Sequence, residues 1–156
     1  MNIFDELRTI YSEIDNTYAT IELQERARRH VRKEQQYQRK RELNDQAYFL
    51  FMFSRLEDRI KELSDNLIDF QHNNLTNWSY KRTWNILYKR KNQNSNSIYF
   101  MDRVALLTEM GETDYNLIER YYKQRNKIAH GQTFTIPINI PTVIVHMKHL
   151  YSDLKK

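Results

Sequence analysis

The chain has 156 residues and no cysteine; this is room for one domain with a real core, without disulfides, thiolate nucleophiles or sulfur-based zinc sites, and it suits the reducing cytoplasm. The formal charge of +5 is concentrated: between Arg26 and Arg41 stand eight Lys or Arg against one Glu, so the rest of the chain is slightly acidic. The N-terminus lacks a basic region followed by an apolar run, and no apolar stretch approaches the roughly 18–20 residues that span a bilayer, so neither secretion nor membrane insertion is expected.

Only two glycines and two prolines occur, none before Gly111, and long helices are predicted for the first two thirds of the chain. Ile3, Leu7, Ile10, Ile14 and Ile21 recur at helical intervals and mark one buried stripe. The pattern predicts a helix running unbroken through the basic stretch to about Arg41. On that helix Arg28, Arg32 and Arg39 share one side, Arg29, Lys33 and Lys40 fall beside them, and Ala27 and Val31 lie opposite.

Asn44-Asp45 reads as the cap of a second long helix, whose core line is Phe49, Phe53, Leu56, Ile60, Leu63, Leu67 and Phe70 and which ends near residues 71–74. A third helix is predicted from Trp78 to about Lys89, followed by a polar loop over residues 92–97. A fourth spans Ser97 to Met110, with Gly111 as its stop. Thr113-Asp114 caps a fifth, which carries Leu117, Ile118, Tyr121 and Ile128 to Gly131. From Thr133 to Ile140 an extended connector is expected rather than a strand, because Pro137 and Pro141 interrupt it. Pro141 suits the start of a last helix reaching Leu154. The predicted fold is all-α: an up-and-down helical bundle over residues 1–156, with long N-terminal helices and a short C-terminal one.

The densest chemistry lies in Arg125-Asn126-Lys127-Ile128-Ala129-His130-Gly131. On the helical wheel Arg125 falls inside the apolar stripe of Leu117, Ile118, Tyr121 and Ile128, where a guanidinium needs an acid or an anion because it cannot be neutralised. Asn126 and His130, four apart, share a side, and Gly131 provides the left-handed residue that ends the helix. His130 thus stands at the negative end of the helix dipole, with a side chain suited to proton exchange near neutrality. The wheel leaves Arg125 and His130 about 140° apart, so joint action on one phosphate requires a bent last turn or a second copy of the motif.

At these residues the chain resembles the HEPN superfamily, whose mark is an Arg followed four to six residues later by His, commonly with Asn directly after the Arg. The order of two long helices, a motif helix ending in Ile-Ala-His-Gly and a Pro-initiated final helix is also similar. The resemblance implies a helical bundle that dimerises so that two motifs face one cleft. It further implies a metal-independent endoribonuclease, without cofactor, of the kind found in toxin–antitoxin and phage-defence systems. Some HEPN proteins paired with nucleotidyltransferases carry Tyr two residues after the His; here that position is Gln132.

Further candidates complete the expected site. Glu57, at the edge of the second helix's apolar stripe, is the best acidic partner for Arg125, and a boundary Glu whose carboxylate reaches solvent or pairs with Lys61 is the alternative. Arg28, Arg29, Arg32, Lys33 and Lys127 are candidates for RNA phosphates and Tyr122 for a base, whereas Tyr121 is better placed in the core. His146 and His149 lack a third ligand, and no metal is expected. Three readings follow: a homodimeric ribonuclease held by an antitoxin, a non-catalytic HEPN module binding RNA or a protein, and a helical assembly protein whose motif is structural.

Overall fold

The computed structural model describes residues 3–93 and 97–154, and among these the fold is all-α, with six helices and no strand. They are α1 (Ile3–Ala27), α2 (Val31–Asn74), α3 (Trp78–Gln93), α4 (Phe100–Leu107), α5 (Thr113–Ala129) and α6 (Ile140–Asp153). No described helix is long and apolar enough to cross a membrane.

The contacts gather into two compact units. The first takes the chain up to Ser54 together with Lys123–His149. Its buried side chains include Phe4, Tyr11, Phe49, Met52, Phe53 and Ile128, with Ile140, Val143, Ile144 and Met147 from α6. Phe49 stacks on Phe53 and meets Phe134 edge-on, at 5.3 Å between ring centroids. The second unit takes Arg55–Tyr122 and the residues from Leu150, and buries Leu56, Ile60, Ile68, Val104, Ile118 and Tyr121. Arg103 is buried with them, donating from Nη1 to Ser64 Oγ and Asp65 Oδ1, both at 2.7 Å. Nothing in the local sequence marks this arginine as internal, because its partners stand almost forty residues away.

The predicted first helix is two helices. α1 stops at Ala27 and the chain turns back over Arg28, Arg29 and His30 into α2. The turn is a Schellman motif: His30 N–H reaches the Glu25 carbonyl (2.9 Å) and Arg29 N–H that of Arg26 (3.0 Å). Its left-handed position is filled by Arg29, at φ 58°, where a glycine would advertise the break. Folding back sets the basic start of α2 against acids of α1. Arg41 grips Asp15 with Nε at 2.8 Å and Nη2 at 3.2 Å and donates from Nη1 to Glu22 at 3.1 Å. Arg26 bridges Glu22 and Glu34. In the turned chain Glu22 and Glu25 are buried and both are paired, Glu22 with Arg26 and Arg41 and Glu25 with Arg28 and His30, as buried carboxylates must be.

Other boundaries move for similar reasons. Asn44-Asp45 caps nothing, because α2 runs through it; Asp45 accepts the Tyr11 hydroxyl at 2.8 Å instead. The buried line of α1 runs through Phe4 and Tyr11, leaving Ile3 and Ile10 exposed, and Phe70 at the far end of α2 is exposed as well. α4 is shorter than expected: Ser97 to Tyr99 are not helical, and Thr108 is already extended, at φ −135°. α3 reaches Gln93, so residues 92 and 93 of the predicted loop are helical, and residues 94–96 of it lie outside the described residues. α5 and the connector match expectation. Asn139 caps α6 through its side chain, accepting Thr142 N–H at 2.9 Å, with Pro141 in the first turn.

Candidate functional site

The motif occupies the C-terminal end of α5, within the first compact unit. Within that unit Gln124, just before the motif, and Ile128, inside it, are buried. Gln124 also fastens the segment that follows: its Oε1 accepts Thr135 N–H at 2.9 Å and its Nε2 donates to Thr135 Oγ1 at 3.0 Å. The chain leaving the motif is therefore tied back onto the helix.

Gly131 has φ 77°, the left-handed value expected of it. Its N–H bonds the Ile128 carbonyl (2.9 Å) and Gln132 N–H bonds that of Lys127 (3.0 Å), a second Schellman closure. His130 is the last residue with helical bonding, its N–H shared between the carbonyls of Asn126 (3.1 Å) and Lys127 (3.2 Å). The backbone of His130 is thus held from both sides. Its imidazole is exposed and makes no hydrogen bond or ion pair to a described residue.

Arg125 and Asn126 are brought together: both are half-buried, and Arg125 Nη1 donates to Asn126 Oδ1 at 3.2 Å. The bond engages the amide oxygen and leaves the amide N–H₂ without a bond to a described residue. Lys127 is half-buried and forms no ion pair with a described residue. No hydrogen bond joins Arg125 to His130 across the last turn.

The remaining candidates fall in different settings. Glu57 belongs to the second unit, where with Asp58, Lys61, Tyr99 and Arg103 it lines a cavity of about 270 Å³. Tyr122, in the same unit, is half-buried and packs on Phe100 at 4.7 Å between ring centroids, so a neighbouring ring already covers one of its faces. Tyr121 is buried, as expected of a core residue, and burial pushes its hydroxyl above the ordinary tyrosine value.

The basic stretch is rearranged by the α1–α2 turn. Arg28 and Arg29 are turn residues, not members of a continuous helical face, which corrects the predicted alignment of Arg28, Arg32 and Arg39. Arg28 pairs with Glu25 at 3.1 Å, and His30 Nδ1 approaches the same carboxylate at 2.7 Å. The hydrogen bond from His30 is the chief reason the Glu25 carboxyl is held below its ordinary value, against the opposing effect of burial. Arg39 and Arg41 are committed to acids, and Lys40 lies over the Tyr37 ring at 4.3 Å. Arg29, Arg32 and Lys33 remain exposed, with no ion pair to a described residue. Within the basic stretch, the charge free of ion pairs is concentrated at and just after the turn.

No group of three or more His, Cys, Asp or Glu among the described residues is arranged to hold a metal ion. No known protein family, characterised protein or solved structure matches this chain.

Proposed function

We propose that the chain is a HEPN-type endoribonuclease that cleaves RNA by attack of its own 2′-hydroxyl, and that it acts as a homodimer. The observation that carries this reading is the end of α5. There a half-buried arginine bonded to asparagine and an exposed, otherwise unengaged histidine are set five residues apart on a helix closed by Gly131. In the proposed reaction one His130 imidazole takes the 2′-proton as the 2′-oxygen bonds to phosphorus. The 5′-oxygen leaves with a proton from the protonated His130 of a second copy. The products are a 2′,3′-cyclic phosphate and a 5′-hydroxyl end. Arg125 offsets charge building on the non-bridging oxygens, and the Asn126 amide donates to one of them. A toxin or phage-defence role, with an antitoxin as partner, belongs to the same proposal.

The test is cleavage of total RNA in EDTA. The unaltered chain is expected to give cyclic-phosphate ends, and His130→Ala to slow the reaction by at least about 100-fold, the lower range for a lost acid–base group. His130→Ala should leave stability within about 0.5 kcal/mol, because the side chain is exposed and unbonded. Equal activity of the two proteins, equal inertness, or cleavage only with added metal would refute the proposal. The second reading, a non-catalytic RNA-binding module, is favoured by the uncommitted charges of Arg29, Arg32 and Lys33. It predicts tight, salt-sensitive RNA binding without product, weakened by charge reversal at those three residues and unaffected by His130→Ala.

A further inference from the structure

α3 buries none of its side chains, although it carries Trp78, Tyr80, Trp84, Ile86, Leu87 and Tyr88. What fastens it is polar and planar: the His72 ring lies flat on Tyr88 at 3.9 Å, His72 Nδ1 meets Asn85 Oδ1 at 2.8 Å, and Lys91 pairs with Asp69. The adjoining side is turned to solvent. At 100° per residue Trp78, Arg82, Ile86, Lys89 and Arg90 fall within about 120° of one another, and all five are exposed, Trp78 at 69% and Ile86 at 56%.

The charge on this face is of one sign. α3 contains five Lys or Arg and no acid, and no Asp or Glu stands anywhere between Asp69 and Asp102. An indole left in water beside uncompensated cations marks a surface shaped for a partner. The pattern rules on which partner. An interfacial helix separates its apolar side from its charged side so that the former can enter the lipid, whereas here Arg82 and Lys89 lie between Trp78 and Ile86 on the wheel. A ligand that alternates negative charge with flat aromatic groups matches that interleaving, and single-stranded nucleic acid is such a ligand.

We propose that the outward face of α3 binds single-stranded RNA, with Trp78 stacked on a base and Arg82, Lys89 and Arg90 on phosphates. This deepens the ribonuclease reading by giving the substrate strand a place to land, but it is decided by binding alone. The probe is a short fluorescein-labelled 2′-O-methyl RNA, which lacks the nucleophile and so stays intact whether or not the cleavage proposal holds.

Trp84→Phe leaves Trp78 as the sole tryptophan, and its emission should be quenched by the RNA with the same Kd that fluorescence polarisation gives. Trp78→Ala should weaken binding about tenfold. The triple change Arg82→Gln, Lys89→Gln, Arg90→Gln should lower the slope of log K against log salt by about 2, the single-strand value for three lost phosphate contacts. The side chains of Trp78, Arg82, Lys89 and Arg90 are exposed, so helicity and Tm should hold in the alanine and glutamine variants. The proposal is overturned if the triple variant binds within twofold of the parent, or if Trp78 emission does not respond to RNA. It is equally overturned if only changes at Arg29, Arg32 and Lys33 weaken binding, or if Trp78 responds to anionic phospholipid vesicles and not to RNA. None of these outcomes bears on the His130→Ala cleavage assay, so either proposal can fail alone.

Discussion

The two Schellman turns form a matched pair in which one left-handed position is filled by an arginine and the other by a glycine. Arg29 and Gly131 have φ of 58° and 77° and close their helices with the same pattern of two backbone bonds. An L-residue in this region costs roughly 1–2 kcal/mol, and a glycine there avoids that cost but gives up roughly 0.5–1 kcal/mol through the greater freedom of the unfolded chain. Arg29→Gly should therefore stabilise the protein by about 0.5–1 kcal/mol. The lost charge changes little, since Arg29 follows the negative end of α1 and precedes the positive end of α2, where the two dipoles oppose. Arg29 is exposed and without an ion pair to a described residue, so no tertiary contact offsets the gain. Urea denaturation followed by circular dichroism measures it directly, and the thermal midpoint should rise by about 2–3 °C for a chain of this size. Arg29→Ala, which keeps the φ penalty and loses only the side chain, should lie close to the unaltered protein. Gly131→Ala should move stability the other way by a similar amount; the added Cβ meets nothing within 4 Å, so the cost is conformational alone. If Arg29→Gly is less stable than the parent at unchanged m-value, the conformational argument is wrong.

Two further predictions concern the α1–α2 hairpin. Arg41→Ala leaves Asp15 without its cation and the buried Glu22 with only Arg26 and Gln38, and because the Arg41 side chain is 37% exposed it should cost about 1–2 kcal/mol in the same urea assay, between the values for surface and buried pairs; a loss below about 0.5 kcal/mol would show the pair to behave as a surface one. Glu25 titrates below its ordinary 4.5 in the folded chain, so it contributes stability above that pH and loses it as the pH falls through the lowered folded value. Stability measured from neutrality down into this window should fall more steeply for the parent than for Glu25→Gln, and parallel curves would remove Glu25 from the acid response.

Local signals that act locally are legible in the chain. Gly131 marks the end of α5 because the left-handed residue is a glycine, Asn139 and Pro141 mark the start of α6, and the motif residues are found by spacing. The break after Ala27 is hidden, because an arginine occupies the position where a glycine would show it and because Asp15 and Glu22 meet their cation, Arg41, 26 and 19 residues away. Asp45 looks like a cap and serves Tyr11 instead, a choice made by a tertiary partner. Buried Arg103 depends on Ser64 and Asp65, thirty-nine and thirty-eight residues back. The α3 surface was readable in principle: a count of acids along the chain reveals the empty stretch after Asp69, but a search for apolar periodicity passes over it because its large apolar residues do not form a core stripe.

The closure at Gly131 has a consequence for how the motif is measured out. The carbonyls that tie off α5 belong to Asn126, Lys127 and Ile128, three of the four residues between Arg125 and His130. The histidine is therefore placed by counting back from the glycine stop, and the arginine–histidine interval is a ruler made of backbone, indifferent to the side chains within it. Deleting one residue from that interval would turn His130 by about 100° relative to Arg125 without disturbing the stop itself, whereas exchanging Lys127 or Ala129 would leave the spacing intact.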